Sequence, residues 1–366
     1  MVEIDVPLVP EDNEHYLNQK QRIDYRNHRQ KFIQWLLMFG KDPEAVEGYT
    51  KDTVYRTAYR CGKFDRFTWE NENGYTIPLT HDHADAYMKH LAYEEYSGSH
   101  RSNTQDSLKR YFKWRQHEHG GESWEPQYTF SKSMNVQPRD HLSRKERQQI
   151  RQAALEYGSI PGYPSLTPTE RQRWKRYIAQ VLRKPMSEVV PADWDQVNGW
   201  KFTSMVWASL DGGLRPTEVG RAKVSWVDTD NQVLRIPLSE SAKNADNWQV
   251  SLTERTADAL DRWIAERENY DRYTDTDVLW LTRERNSYGP QSLRRLLIRL
   301  CEQAGIDTDN RKMSWYAIRH SVGTYMTREE DLAAAKAQLR HRSVQTTMKY
   351  DAAPAEDRQD ALDRMG

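Results

Sequence analysis

Strand-like patterning is confined to one stretch of this 366-residue chain; the other periodic segments have helical spacing. Val224–Val227, Val233–Pro237 and Trp248–Leu252 are the strand runs. Thr229-Asp230-Asn231 supplies a tight turn between the first two, and the longer Ser239–Asn247 loop leads to the third. Upstream, Ile23, Phe32, Ile33, Leu36 and Leu37 recur with helical spacing between Tyr16 and Phe39, and Gly40 follows as a stop signal. Further helices are predicted over Thr53–Trp69, over His83–Tyr96, and after Ser102-Asn103-Thr104 with Leu108, Tyr111, Phe112 and Trp114 on the apolar stripe. The expected fold class is mainly α with a small antiparallel β-sheet.

Two modules are expected. Residues 1–120 read as all-helical. Between Gly120 and Pro138 the pattern collapses into Gly, Ser, Pro and Gln, so 121–140 reads as a linker. Residues 141–366 form the second module, with a polar tail over 351–366 in which Leu362 and Met365 are spaced to dock as a short helix. Ser143 with Glu146 makes a capping box, and Thr167 with Glu170 repeats it with Pro168 at the first helical position. The longest helix of this module is expected to end near Gly212-Gly213.

Lys plus Arg total 54, balancing Asp plus Glu at 54. Zero net charge argues against a nucleic-acid binder, because phosphate neutralisation favours a basic protein. The positive charge is clustered, however, as in Arg144-Lys145-Glu146-Arg147 and Arg171, Arg173, Lys175, Arg176. Arg also outnumbers Lys about two to one, and guanidinium is the better bidentate phosphate ligand. A neutral total can therefore hide a basic face. No stretch approaches the ~20 apolar residues of a membrane span, and the start is acidic with no apolar signal core, so an intracellular protein is expected. Cys61 and Cys301 are too few and too far apart for a disulfide framework or thiolate cluster. His81-Asp82-His83 and His117-Glu118-His119 lack a third ligand nearby and read as solvated helix-end histidines.

Three segments of the second module carry the chemistry. Leu210-Asp211-Gly212-Gly213-Leu214-Arg215-Pro216-Thr217-Glu218 makes a sharp turn and sets Arg215 before a new helix, whose N-terminus adds partial positive charge. Trp315-Tyr316-Ala317-Ile318-Arg319-His320 places Arg319 on a helix. Leu339-Arg340-His341-Arg342-Ser343 leads to Met348-Lys349-Tyr350. In order and spacing these resemble the Arg box, the His-x-x-Arg-His box and the Leu-Gly-His box with its following Tyr of the tyrosine recombinase (phage integrase) family, in an archaeal-like variant.

The resemblance spans essentially the whole chain. It implies a helical core-binding (SAM-like) N-terminal domain and an α+β catalytic domain closing as a C-shaped clamp on double-stranded DNA at an attachment or recombination site. Strand exchange implies a tetramer on DNA, with the tail packing on a neighbouring protomer, and a cytoplasmic, nucleoid-associated location. Tyr350 would be the nucleophile giving a 3′-phosphotyrosine, and Arg215, Arg319 and His341 would hold the other catalytic positions. Neither metal nor ATP is implied, and no cofactor. The family's general acid is a Lys on a hairpin after the Arg box; Lys243, in the Ser241-Ala242-Lys243-Asn244 loop, is assigned to it over Lys223 and Lys312. Arg144 and Lys145 are expected to contact DNA.

Two departures stand out. Tyr316 replaces the first box His; a phenol of pKa near ~10 is a poor base at pH 7 but can hydrogen-bond phosphate. Removal of the Tyr350 proton then falls on His341 or water. Arg340 replaces the usual Gly, and is expected to add a DNA-facing cation. A catalytically impaired DNA-binding relative and a type IB topoisomerase-like enzyme are the alternatives.

Overall fold

A computed structural model describes residues 6–130, 140–241, 246–351 and 354–365, and the chain divides into two compact units, Met1–Val136 and Gln137–Gly366. The first unit is built on helices α1 (Gln19–Met38), α2 (Lys51–Asn71), α3 (His81–Tyr93) and α4 (Gly98–His119). The side chain of Asn18 caps α1, and Thr80 with His83 forms a capping box that starts α3 two residues ahead of the sequence expectation. Ser97 caps α4, which begins at Gly98 rather than after Ser102-Asn103-Thr104. Thr104 and Ser107 lie inside α4, where their hydroxyls donate to the carbonyls of His100 (3.0 Å) and Asn103 (2.9 Å).

Phe32, Leu36, Val54, Phe64, Met88 and Leu108 fill the core between these helices. Trp124 joins that core and donates its indole N–H to Asp85 (3.2 Å). The first part of the expected linker therefore packs on the helical unit. His83 accepts the Thr80 N–H, and His117 accepts the Trp35 indole N–H (3.0 Å). Among the described residues no group of three or more His, Cys, Asp or Glu could hold a metal ion.

In the second unit, α5 (Arg144–Glu156) and α6 (Pro168–Leu182) start at the Ser143–Glu146 and Thr167–Glu170 capping boxes. Helices α7 (Trp200–Gly212) and α8 (Pro216–Arg221) follow, then strands β1 (Val227–Asp228), β2 (Val233–Ile236) and β3 (Trp248–Ser251). The strands form one antiparallel sheet in the order β1-β2-β3, registered through Val227↔Leu234 and Leu234↔Val250. Val224–Trp226 is a 3₁₀ turn rather than strand, with the Trp226 indole buried and bonded to Glu240. Helices α9 (Glu254–Arg267), α10 (Pro290–Gln303), α11 (Trp315–Glu329), α12 (Leu332–Gln338) and α13 (Val344–Thr347) complete the unit, before the tail helix α14 (Ala355–Met365).

Helix α7 is the hub, packed by α5, α9 and α11. Its Met205, Val206, Ala208 and Leu210 are all fully buried, as expected for a helix apolar on most of its circumference. It does end at Gly212-Gly213, but at 13 residues it is shorter than α6 and α11, at 15 each. Among the described residues no helix is long and apolar enough to cross a membrane.

Candidate active site

The C-terminal end of α7 begins the site. Gly213 takes the left-handed conformation (φ 55°) that stops the helix, and a Cβ there would lie 2.6 Å from Leu339. The turn around Gly212-Gly213 thus abuts the turn around Gln338–Arg340, and buried guanidinium groups tie the two together. Arg319, from α11, donates to the carbonyls of Gly213 (2.6 Å) and Leu339. Arg340 donates to the carbonyls of Gly212 (2.8 Å), Gly213 (3.2 Å) and Gln338 (2.6 Å). Arg215 reaches the Arg340 carbonyl (3.3 Å).

Glu218 is the common anion. Its two oxygens accept a bidentate fork from Arg340, through Nε (3.2 Å) and Nη2 (2.7 Å), while Oε1 also takes Arg215 Nη1 (2.6 Å) and Oε2 the Arg215 backbone N–H (2.6 Å). Burial alone would raise this carboxyl, but Arg340, Arg215 and Arg319 outweigh it and hold Glu218 at about 2. Burial, then Arg215 and Arg340, lower Arg319 to about 9. Among the described residues Glu218 thus pairs with two guanidinium groups while a third, Arg319, lies near enough to feel its charge, so cations outnumber the carboxylate in this cluster.

This geometry corrects two expectations. Arg340 is not a DNA-facing cation: it is buried, and all five of its N–H donors are spent on Glu218 and three carbonyls. It also sits at φ 56°, the conformation that makes Gly natural here; the ~1–2 kcal/mol cost of a left-handed side chain is offset by those bonds. Nor is the Arg215 backbone N–H, just before the six-residue α8, open to an outside anion: the Glu218 carboxylate already accepts it.

Tyr350 ends a 3₁₀ turn, Met348–Tyr350, and is buried beside Val322 and Leu339. Its ring lies flat on α11 at Gly323, where a Cβ would approach it to 2.7 Å. The Tyr350 hydroxyl is 3.0 Å from His320 Nδ1. The His341 ring runs parallel to that of Tyr350, with centroids 6.1 Å apart, and its Nδ1 meets the Thr347 hydroxyl (2.9 Å). Burial first, then Arg319, Lys349 and Arg215, push His341 down to about 3, so it is neutral at pH 7. Lys349 Nζ stands 5.0 Å from the Tyr350 ring centroid.

The structure thus brings Arg215, Arg319, His341 and Tyr350 into one cluster. Tyr316 is at its edge: it is 44% exposed, its ring 6.1 Å from His320, and its hydroxyl has no hydrogen-bond partner among the described residues. Lys243 lies outside the described residues. Lys223, the next lysine considered, is engaged by Glu240 at 2.5 Å. Lys145 is exposed, and Arg144 pairs with Glu329 while lying 4.6 Å from the Tyr325 ring. Sequence reasoning missed Glu218, Gly323 and Lys349 as parts of the site. Glu218 carried one usable signal, its place three residues after Arg215 at a helix start.

Residues 194–356 match the model of the phage integrase family. Two similar solved structures are the XerH site-specific recombinase bound to a palindromic difH substrate and the Tn1549 transposon integrase in complex with circular intermediate DNA. The first is 14% identical, with 94% of this chain and 88% of that one covered and a TM-score of 0.54. The second is 13% identical, with 91% and 97% covered and a TM-score of 0.53. No curated protein matches the sequence. Residues 194–356, which hold Arg215, Arg319, His341 and Tyr350, are thus a phage integrase segment, set in a mainly helical fold with a small three-stranded antiparallel sheet that is similar to those recombinase structures.

Proposed function

We propose that the protein is a site-specific DNA recombinase, an integrase that cuts and rejoins DNA through a 3′-phosphotyrosine. One observation carries the reading: the guanidinium groups of Arg215, Arg319 and Arg340 cluster about Glu218, and a buried tyrosine, its hydroxyl on His320, packs on the same helix as Arg319. A phosphodiester is the anion that suits both features. Its non-bridging oxygens would take the remaining donors of Arg215 and Arg319, whose hold strengthens as charge builds in the pentavalent transition state. Tyr350 Oη would attack phosphorus, and the 5′-oxygen would leave with a proton from Lys243.

Neutral His341, its Nδ1 facing the Thr347 hydroxyl, suits hydrogen-bond donation from Nε2 to the phosphate. With the guanidinium groups absorbing the charge and the phosphotyrosine conserving the bond energy, the reaction we propose uses neither metal nor ATP. Lys145 and Arg144 would contact the DNA backbone. Leu362 and Met365 on α14 are 65% and 81% exposed and would pack on a neighbouring protomer in a tetramer on DNA.

A pool of nicked duplexes with randomised centres tests this. Protein-linked DNA surviving denaturation in the wild type, and absent from Tyr350→Phe, is expected. DNA that is bound and never linked would leave a non-catalytic DNA-binding relative. Relaxation of any supercoiled plasmid without site preference would favour the topoisomerase.

A further inference from the structure

The nucleophile's proton needs an acceptor, and the expected one is poorly placed. His341 faces Thr347 through Nδ1, and its conjugate acid is too strong to hold a proton taken from a phenol. Tyr316 is itself a phenol and stands at the exposed edge of the site. Lys349 presents an ammonium to the face of the Tyr350 ring, not a lone pair to its hydroxyl. Asp351, next in the chain, is exposed to solvent.

Helix α11 supplies an alternative. Tyr316, His320 and Gly323 share one face of it, spaced four and three residues apart. Gly323 is the floor beneath the Tyr350 ring, and His320, one turn earlier, meets the ring's hydroxyl with Nδ1 at 3.0 Å. Arg319, rotated about 100° from its neighbour on the helix, faces the Gly213 and Leu339 carbonyls instead. One helix thus turns adjacent residues to two parts of the site: a guanidinium to the paired turns beside Arg215 and an imidazole to the Tyr350 hydroxyl.

Building on the recombinase reading above, we infer that His320 is a catalytic residue, the general base that takes the Tyr350 proton. On cleavage the Tyr350 Oη–H bond breaks and its proton passes to His320 Nδ1, while the Oη–P bond forms and the P–O5′ bond breaks. The 5′-oxygen takes its proton from the separate general acid. On rejoining, the 5′-hydroxyl attacks phosphorus, and the departing Tyr350 oxygen recovers the proton from His320 Nδ1–H. The base requires the tautomer with its resting proton on Nε2, leaving Nδ1 to accept from Tyr350.

The test is single-turnover adduct formation on a nicked duplex by His320→Ala and His320→Asn, after thermal melts confirm that both fold. Asn places an amide near the Nδ1 position and keeps a hydrogen bond, but it cannot hold the proton. Both variants should bind DNA as the wild type does and link to it about 10²–10⁴-fold more slowly. Added imidazole should accelerate His320→Ala, and a 5′-bridging sulfur substrate, which bypasses the acid, should leave both variants slow. Wild-type rates in His320→Asn, faster linkage in His320→Ala, failure of imidazole to help it, or full rescue by the sulfur substrate would each overturn the assignment. A wild-type protein that forms no adduct would instead remove the recombinase reading itself.

Discussion

Replacing Arg340 by Gly restores the residue that the left-handed backbone favours and removes the guanidinium joining the two turns. The worked cost has two parts. Breaking a buried, hydrogen-bonded ion pair from one side costs about 3–5 kcal/mol, because Glu218 keeps its charge and loses its bidentate partner. Relief of the left-handed side chain returns about 1–2 kcal/mol. The net loss is about 1–4 kcal/mol, which at about 2–4 °C per kcal/mol for a unit of ~150–250 residues lowers Tm by about 2–16 °C. The acid limb of stability should shrink as well. Glu218 in the folded wild type is held at about 2, below its unfolded value of about 4.3, so its contribution is full above pH ~4.3 and is lost as pH falls toward 2. In Arg340→Gly the carboxyl rises and that slope flattens. Calorimetry from pH 2 to 7 reads both effects. DNA binding titrated against salt supplies the contrast: a phosphate-contacting Arg would reduce the salt slope by about one on removal, whereas Arg340→Gly should leave it unchanged. An unchanged Tm with a reduced salt slope would refute the buried-tie account.

Three further outcomes are expected. Arg215→Lys and Arg319→Lys should each slow covalent DNA linkage by about 10²–10³, since an ammonium cannot replace the fork, and near-normal rates in both would sink the phosphate clamp. Lys243→Ala should block release of the 5′-oxygen, and a 5′-bridging sulfur substrate should restore cleavage; without that rescue the acid lies elsewhere. Glu266, wholly buried and accepting from the Trp200 N–H (2.5 Å) and the Tyr270 hydroxyl (2.9 Å), is raised to about 7 by burial. Its folded value exceeds its unfolded one, so its own contribution to stability is greatest below pH ~4.3 and is lost as pH rises through 7. Melts of the wild type should show that decline, and Glu266→Gln should flatten it.

Local signals in the sequence were read well where the structure depends on neighbours. The Ser143–Glu146 and Thr167–Glu170 boxes start α5 and α6, and the three strand runs form the sheet, trimmed where Val224–Trp226 turns. Errors arise where a distant partner decides. Arg340 pairs with Glu218 from 122 residues away, and spacing gives no hint that its charge is spent inside. Ser102 and Thr104 looked like a helix start, but their side chains are buried inside α4, and Thr104's hydroxyl is spent on a carbonyl four residues back. Trp124 sat in apparent linker chemistry, yet one indole and one carboxylate hold that segment to the helical core. His320 stands beside Arg319, but adjacent helical residues point about 100° apart, and only the position of Tyr350 settles which of them meets it.

Identifying the residue that carries the DNA tests the central claim most directly. Wild-type protein trapped on a nicked duplex is digested, and the DNA-linked peptide and both DNA ends are characterised by mass spectrometry. The account predicts linkage of a 3′-phosphate to the peptide containing Tyr350, a free 5′-hydroxyl on the released strand, and no linked peptide from Tyr350→Phe. Linkage through any other residue, or to a 5′-phosphate, would contradict it.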